Sequence, residues 1–296
     1  MIAMDIDGTL LDSKAHMPAE NLDAIVEAAS RGIEIVLVTG RRFDFALPIA
    51  RAIPCELHML VNNGALAKSR DGVTHMRSLL PRETARQILQ ATAEFREYAG
   101  VVFDRSEGHR VILEKADWDD PVRGAYLRRN REHIGICSPL LKCLDAKDSC
   151  AIPGEGPGQD SEEDPIQVAF TGNCRPIRAA MQKLESLAPK YGFSLSLTEY
   201  LERDLSVLDV LCSGVTKGSA VEKWARLRSI EPRNVMAIGD NWNDLEMLEF
   251  AGTPVVMGNS VSGLKTRGWA VTGSNDEAGL ADAIRTYALN GPPEAV

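Results

Sequence analysis

Apolar residues in this chain follow two rhythms. Toward both ends, short runs (Met1-Ile2-Ala3-Met4, Ile33-Glu34-Ile35-Val36-Leu37-Val38, Leu57-His58-Met59-Leu60-Val61, Asn234-Val235-Met236-Ala237-Ile238 and Pro254-Val255-Val256-Met257) alternate with stretches of helical spacing at Pro18–Arg31, Phe43–Ile53 and Thr216–Arg228. Apolar strands separated by helices predict an α/β domain, a parallel sheet covered on both faces. The middle of the chain reads differently. Shorter candidate strands, Val101–Phe103, Arg110–Leu113 and Ile166–Phe170, interleave with helical patterns around Pro81–Tyr98, Asp119–His133 and Pro176–Tyr191. That mixture predicts a separate α+β module. The stretch Ile152–Pro165 is dense in glycine, proline and acid and reads as a mobile surface loop, its glycine spacing being wrong for a dinucleotide fingerprint. The first run has only four residues before Asp5, short for a central strand, so a few upstream residues are expected to be missing.

Composition narrows the classes of function. With 33 Lys+Arg against 42 Asp+Glu and 5% aromatic residues, the chain lacks the broad basic surface that nucleic acid or an anionic membrane requires. No apolar run approaches the roughly 18 residues of a membrane span, and acids at Asp5 and Asp7 fall where a signal peptide needs its apolar stretch, so a cytoplasmic protein is expected. The six cysteines, Cys55, Cys137, Cys143, Cys150, Cys174 and Cys212, include no C-x-x-C pair and read as reduced thiols.

The chemistry concentrates at strand ends. Asp5-Ile6-Asp7-Gly8-Thr9 directly follows the first apolar run, at the position where open α/β sheets bind ligands. Alone, such a segment is equally good turn chemistry. A second acidic cluster, Gly239-Asp240-Asn241-Trp242-Asn243-Asp244, follows another apolar strand far along the chain. Carboxylates gathered in one crevice repel one another, so a hard cation such as Mg²⁺ is their natural partner. Thr39-Gly40-Arg41 ends the second strand with a hydroxyl and a flexible glycine, and Gly214-Val215-Thr216-Lys217 opens a helix with a lysine. Hydroxyl, backbone N–H groups and ammonium around a cation are the parts that hold a phosphoryl group.

Asp5-x-Asp7-Gly8-Thr9, Thr39-Gly40-Arg41, Lys217 and Gly239-Asp240-x-x-Asn243-Asp244 together resemble the four motifs of the haloacid dehalogenase (HAD) superfamily, specifically its Cof-type phosphatases of subfamily IIB. Leu208–Gly218 resembles that subfamily's strand leading into the lysine motif, and Asn62-Asn63-Gly64-Ala65 its loop after the third strand. The resemblance implies a Rossmann-like, doubly wound core formed by residues 1–80 and 205–296, with an inserted α+β cap of the C2 type B at 81–204. It implies a Mg²⁺-dependent phosphatase acting on a small phosphorylated metabolite. Asp5 would be the nucleophile, forming an aspartyl-phosphate, and Asp7 the general acid and base, kept protonated by its acidic neighbours. Asp5, the backbone carbonyl of Asp7, Asp240 and Asp244 would hold the metal, and Thr39, Gly40, Lys217 and Asn243 the phosphoryl group. A phosphomutase would use the same parts. A non-catalytic phospho-aspartate switch of the receiver type fits less well, because receivers place the accepting aspartate after the third strand and occupy one small domain. For substrate contacts the places to look are Arg42, Asp44, Asn63, His109 and Arg110, whereas the run Arg128-Arg129-Asn130-Arg131 reads as a solvated helix face.

Overall fold

The computed structural model describes residues 1–105, 108–145 and 164–290. The expected surface loop at 152–165 therefore lies mostly outside the described residues, as does Cys150. The chain forms two units: Met1–Arg77 with Val215–Val296, and Ser78–Gly214.

The first unit begins with β1 (Ile2–Met4), β2 (Ile35–Val38) and β3 (His58–Val61), all fully buried along their length, as parallel strands covered on both faces must be. A tight Asn62–Gly64 turn then folds the chain back into β4 (Leu66–Ser69) and β5 (Thr74–Arg77), an antiparallel extension that the sequence pattern did not announce. Asn62 and Asn63 both take left-handed φ angles near +52°, a conformation asparagine tolerates better than most residues, which allows the abrupt reversal.

The inserted unit contributes β6 (Ala99–Val102), β7 (Val111–Leu113), β8 (Ile134–Ile136), β9 (Gln167–Gly172), β10 (Phe193–Tyr200) and β11 (Leu205–Cys212), in the order β10-β11-β9-β6-β7-β8. All pairings are antiparallel except β7 with β8. Its core is built from Phe170, Val168, Leu208 and Val210 on the strands, Ile88 and Leu89 on the helix Arg82–Ala91, and Ile177 and Leu184 on the helix Cys174–Tyr191. Two expectations need correction. The boundary at residue 205 assigned β11 to the core, but β11 lies inside the inserted sheet, paired with β10 from Leu205 to Cys212 and with β9 from Ser206 to Leu211. The helix expected over Asp119–His133 shrinks to Gly124–Arg129 with a 3₁₀ turn at Arg131–His133, consistent with Pro121 and Gly124 interrupting the pattern. Arg128, Arg129 and Arg131 are exposed.

The chain re-enters the first unit through the helix Lys217–Leu227, then adds β12 (Met236–Gly239), β13 (Thr253–Val256) and β14 (Ala270–Val271). The completed sheet runs β14-β13-β12-β1-β2-β3-β4-β5. Its six parallel strands step outward from β1 in one direction through β2 and β3, and in the other through β12, β13 and β14. This is the doubly wound Rossmann-like arrangement. The order reverses between β1 and β12, where such sheets open a ligand crevice at their carboxyl ends. Trp224, Ala220 and Val221 of the re-entrant helix pack on Ala3, Val36 and Leu60 beneath that point. Among the described residues none of the cysteines forms a disulfide, and no helix is long and apolar enough to cross a membrane.

Phe170 is fully buried at the centre of the inserted unit's core. Phe170→Ala is expected to lower stability by about 3–5 kcal/mol, read by urea unfolding. A loss under about 1 kcal/mol would contradict the packing described here.

Candidate active site

The two strand ends at the reversal point are joined directly. Asp5 follows β1, Asp240 follows β12, and the Asp5 N–H donates to the Ile238 carbonyl at 3.0 Å. The turn after Asp7 passes so close to Asp240 that only glycine fits: Gly8 has φ of +83°, and a Cβ there would lie 2.5 Å from Asp240 Oδ2. Thr9 then donates its hydroxyl to Asp240 Oδ1 at 3.2 Å. On the far side, a Cβ on Gly239 would stand 2.6 Å from Asp244 Cβ, so the absence of one lets Asp244 fold back under the strand end.

Asp244 is fully buried and fully engaged. Its Oδ2 accepts from the Asp240 and Asn241 N–H groups, both at 3.0 Å, and its Oδ1 accepts from Lys217 Nζ at 2.6 Å. Lys217 also donates to Asp5 Oδ1 at 2.6 Å, bridging two buried carboxylates. It is the first residue of its helix, fixed there by a capping box in which Thr216 and Ser219 exchange hydrogen bonds. Asp5 Oδ2 has no hydrogen-bond partner among the described residues.

Carboxylate oxygens of Asp5, Asp240 and Asp244 lie within 4.8 Å of one another. Burial, opposed by Lys217 and reinforced by the other acids, pushes the Asp5 carboxyl well above its usual range. Burial and then the Asp244 charge push Asp240 up to about 7. Burial works against the Lys217 ammonium, but the charges of Asp244 and Asp5 outweigh it and hold the proton more firmly than in water. Two buried carboxylates and a half-buried one facing one ammonium are short of positive charge, and the all-oxygen donor set fits a hard divalent cation.

Next to this cluster, Thr39 directly follows β2 and is buried. Its hydroxyl accepts from the Arg41 N–H at 3.1 Å, which leaves its own proton to donate. The loop at 39–41 is tied to the turn after β3 by the Asn63 N–H on the Thr39 carbonyl and the Asn62 N–H on the Arg41 carbonyl, at 3.0 and 2.9 Å. Gly40 lies against the Asn63 amide, where a Cβ would come within 3.1 Å of Oδ1. Asn243 is half-buried in the single turn Trp242–Asp244.

Asp5, Asp240, Asp244 and Lys217 are thus brought together as the motifs implied. Asp7 is not with them. Its side chain is exposed, outside the buried acidic group, and both of its oxygens accept from Arg41, Nε at 2.7 Å and Nη2 at 2.5 Å. Among the residues considered for substrate contact, Arg42 and Asp44 pair with each other at 2.5 Å, and His109 and Arg110 belong to the inserted unit. Sequence reasoning gave no role to Thr9, to Arg41, or to Asn259, whose amide donates to the Gly8 carbonyl at 2.8 Å. Thr9 and Arg41 lie inside the motifs that were noticed, whereas Asn259 follows an unremarkable strand and carries no local signal.

Comparison with known proteins agrees with this fold. Residues 2–136 and 154–284 match the family model of the haloacid dehalogenase-like hydrolases. Phosphatase YwpJ of Bacillus subtilis is 26% identical, over 96% of this chain and 98% of its own. Pyridoxal phosphate phosphatase YbhA of Escherichia coli is 23% identical, over 98% of both chains. The solved structure of the HAD subclass IIB sugar phosphatase BT4131 superposes with a TM-score of 0.66 at 20% identity, covering 96% of this chain and 97% of that one. The chain belongs to the haloacid dehalogenase-like hydrolases, with the fold of a subclass IIB phosphatase.

Proposed function

We infer that this protein is a Mg²⁺-dependent phosphatase that releases inorganic phosphate from a small phosphorylated metabolite through an aspartyl-phosphate on Asp5. The observation that carries the reading is the buried group of Asp5, Asp240, Asp244 and Lys217, which pairs a carboxylate having one oxygen open with a cation-fitting donor set. Relatives whose names specify pyridoxal phosphate or a sugar phosphatase support a small phosphate ester as substrate.

Asp5, Asp240 and the backbone carbonyl of Asp7 would hold the ion. Asp244, already committed to Lys217 and two N–H groups, would orient this set from behind. A bound Mg²⁺ supplies positive charge for the phosphoryl oxygens and keeps the gathered carboxylates ionised. Thr39, the Gly40 N–H, Lys217 and Asn243 bind the phosphoryl group. Asp5 Oδ2 attacks phosphorus in line, the ester P–O bond breaks, and Asp7 gives its proton to the departing oxygen. Water then attacks the phosphorus of the aspartyl-phosphate, Asp7 takes its proton, and phosphate leaves with Asp5 restored. Asp7 must leave Arg41 to serve, so that ion pair describes a resting position. A phosphomutase would share these parts but return the phosphoryl group to a sugar hydroxyl instead of water.

Asp5→Asn keeps the shape and removes the nucleophile, so phosphate release in a panel of phosphate esters with Mg²⁺ should fall by at least about a thousandfold while circular dichroism is unchanged. Substantial residual hydrolysis by the purified variant overturns the assignment. Lys217→Ala should abolish turnover and also lower stability by about 3–5 kcal/mol in urea, because it strands two buried carboxylates.

The acid cluster also sets a pH dependence. Asp240 is held near 7 in the folded chain, above its ordinary 3.8, so the stability it contributes is complete below about pH 4 and lost as pH rises through 7. EDTA-treated protein should therefore show a falling Tm across that range, and added Mg²⁺ should raise Tm more at about pH 8 than at about pH 5. A Mg²⁺ effect that does not grow with pH would contradict a metal held by these acids.

A further inference from the structure

Trp242 lies in the turn that carries the acidic cluster, between Asn241 and Asn243, yet the residue is 51% exposed. A folded chain gains by burying an indole, so a half-open one beside a reaction centre calls for a physical reason. The ring is also firmly seated. Its benzo edge rests on Gly263, where a Cβ would come 2.5 Å from Cη2 and 2.6 Å from Cζ2. The segment bearing Gly263 is bonded to both acidic loops: the Val261 N–H donates to the Asp240 carbonyl at 3.1 Å, and the Asn259 amide donates to the Gly8 carbonyl at 2.8 Å. The indole is therefore braced against the same frame that positions Asp5 and Asp240, with part of its surface left to solvent. Only Asn241 separates Trp242 from Asp240, so their Cα atoms are at most about 7 Å apart and the indole sits at the rim of the acidic cluster.

We propose that Trp242 is a specificity residue, an aromatic platform on which the planar ring of an aromatic or heteroaromatic leaving group stacks while its phosphoryl group occupies the site at Asp5. The proposal deepens the phosphatase reading and rests on it for the phosphoryl end. Stacking on a pre-seated indole loses little conformational freedom, so the preference for a ring-bearing ligand should be sizeable, about tenfold in affinity.

The test needs no turnover. Binding of phenylphosphonate and of methylphosphonate to the full chain with Mg²⁺ is measured by titration calorimetry. The wild-type protein should bind the phenyl compound about tenfold more tightly, Trp242→Ala should bring the two affinities together, and Trp242→Phe should keep most of the preference. Indole fluorescence should be quenched by phenylphosphonate in the wild type and not in Trp242→Phe. Equal affinities in the wild type, or a preference that survives in Trp242→Ala, overturns the platform and leaves the phosphatase reading standing. Failure of both phosphonates to bind overturns the phosphoryl site, and the platform with it.

Discussion

One ammonium makes the site possible. Lys217 Nζ bonds Asp5 and Asp244 at 2.6 Å inside a region where both acids and the lysine are almost wholly buried. Burying an ionised carboxylate without a partner costs several kcal/mol, and gathering three multiplies that cost through mutual repulsion. Lys217 offsets part of it, and the two backbone N–H groups on Asp244 offset more. Burial, and after it the Asp244 charge, still raise Asp240, and an all-oxygen donor set in this state would suit a divalent ion. The partners stand 212 residues apart in sequence for Asp5 and Lys217, so the interaction depends on the sheet order. Only the adjacency of β1 and β12, with the lysine helix packed behind them, brings them to one point.

The site separates its two principal carboxylates by environment. Asp5 sits in the dry cluster with one oxygen committed to Lys217, the surroundings that the proposed nucleophile would need beside a cation. Asp7, two residues on, points into solvent and is gripped by Arg41. A proton shuttle placed there can exchange with water between the halves of a reaction, which a residue inside the cluster could not do. Gly8 makes the division possible, because its left-handed turn sends the chain past Asp240 without a Cβ in the way.

Much of this was legible in the sequence, for identifiable reasons. Apolar runs ending in Asp5, Thr39 and Asp240 marked strand ends in an α/β sheet, and an acid is conspicuous there because strand interiors exclude it. The Arg41 grip on Asp7 was not legible, since it depends on where a loop from the neighbouring strand projects its side chain. β11 was misplaced because Leu205–Cys212 is as apolar as a core strand and runs straight toward Lys217; nothing local distinguishes a strand buried in one sheet from a strand buried in another. β10 was legible but not read: Phe193, Leu195 and Leu197 alternate with Ser194, Ser196 and Thr198, the period-two pattern of a half-buried strand. The antiparallel return from β3 into β4 depended on two left-handed asparagines, a backbone feature that the letters Asn-Asn-Gly only partly signal.

The most direct measurement is a crystal structure of the protein with Mg²⁺ and beryllofluoride, which mimics a phosphoryl group on a carboxylate. The expected map shows beryllium bonded to the Asp5 carboxylate and one Mg²⁺ at about 2.0–2.1 Å from oxygens of both Asp5 and Asp240. A cation bound elsewhere, or one coordinated by Asp240 with Asp5 outside its reach, would contradict the shared ion on which the proposed reaction depends.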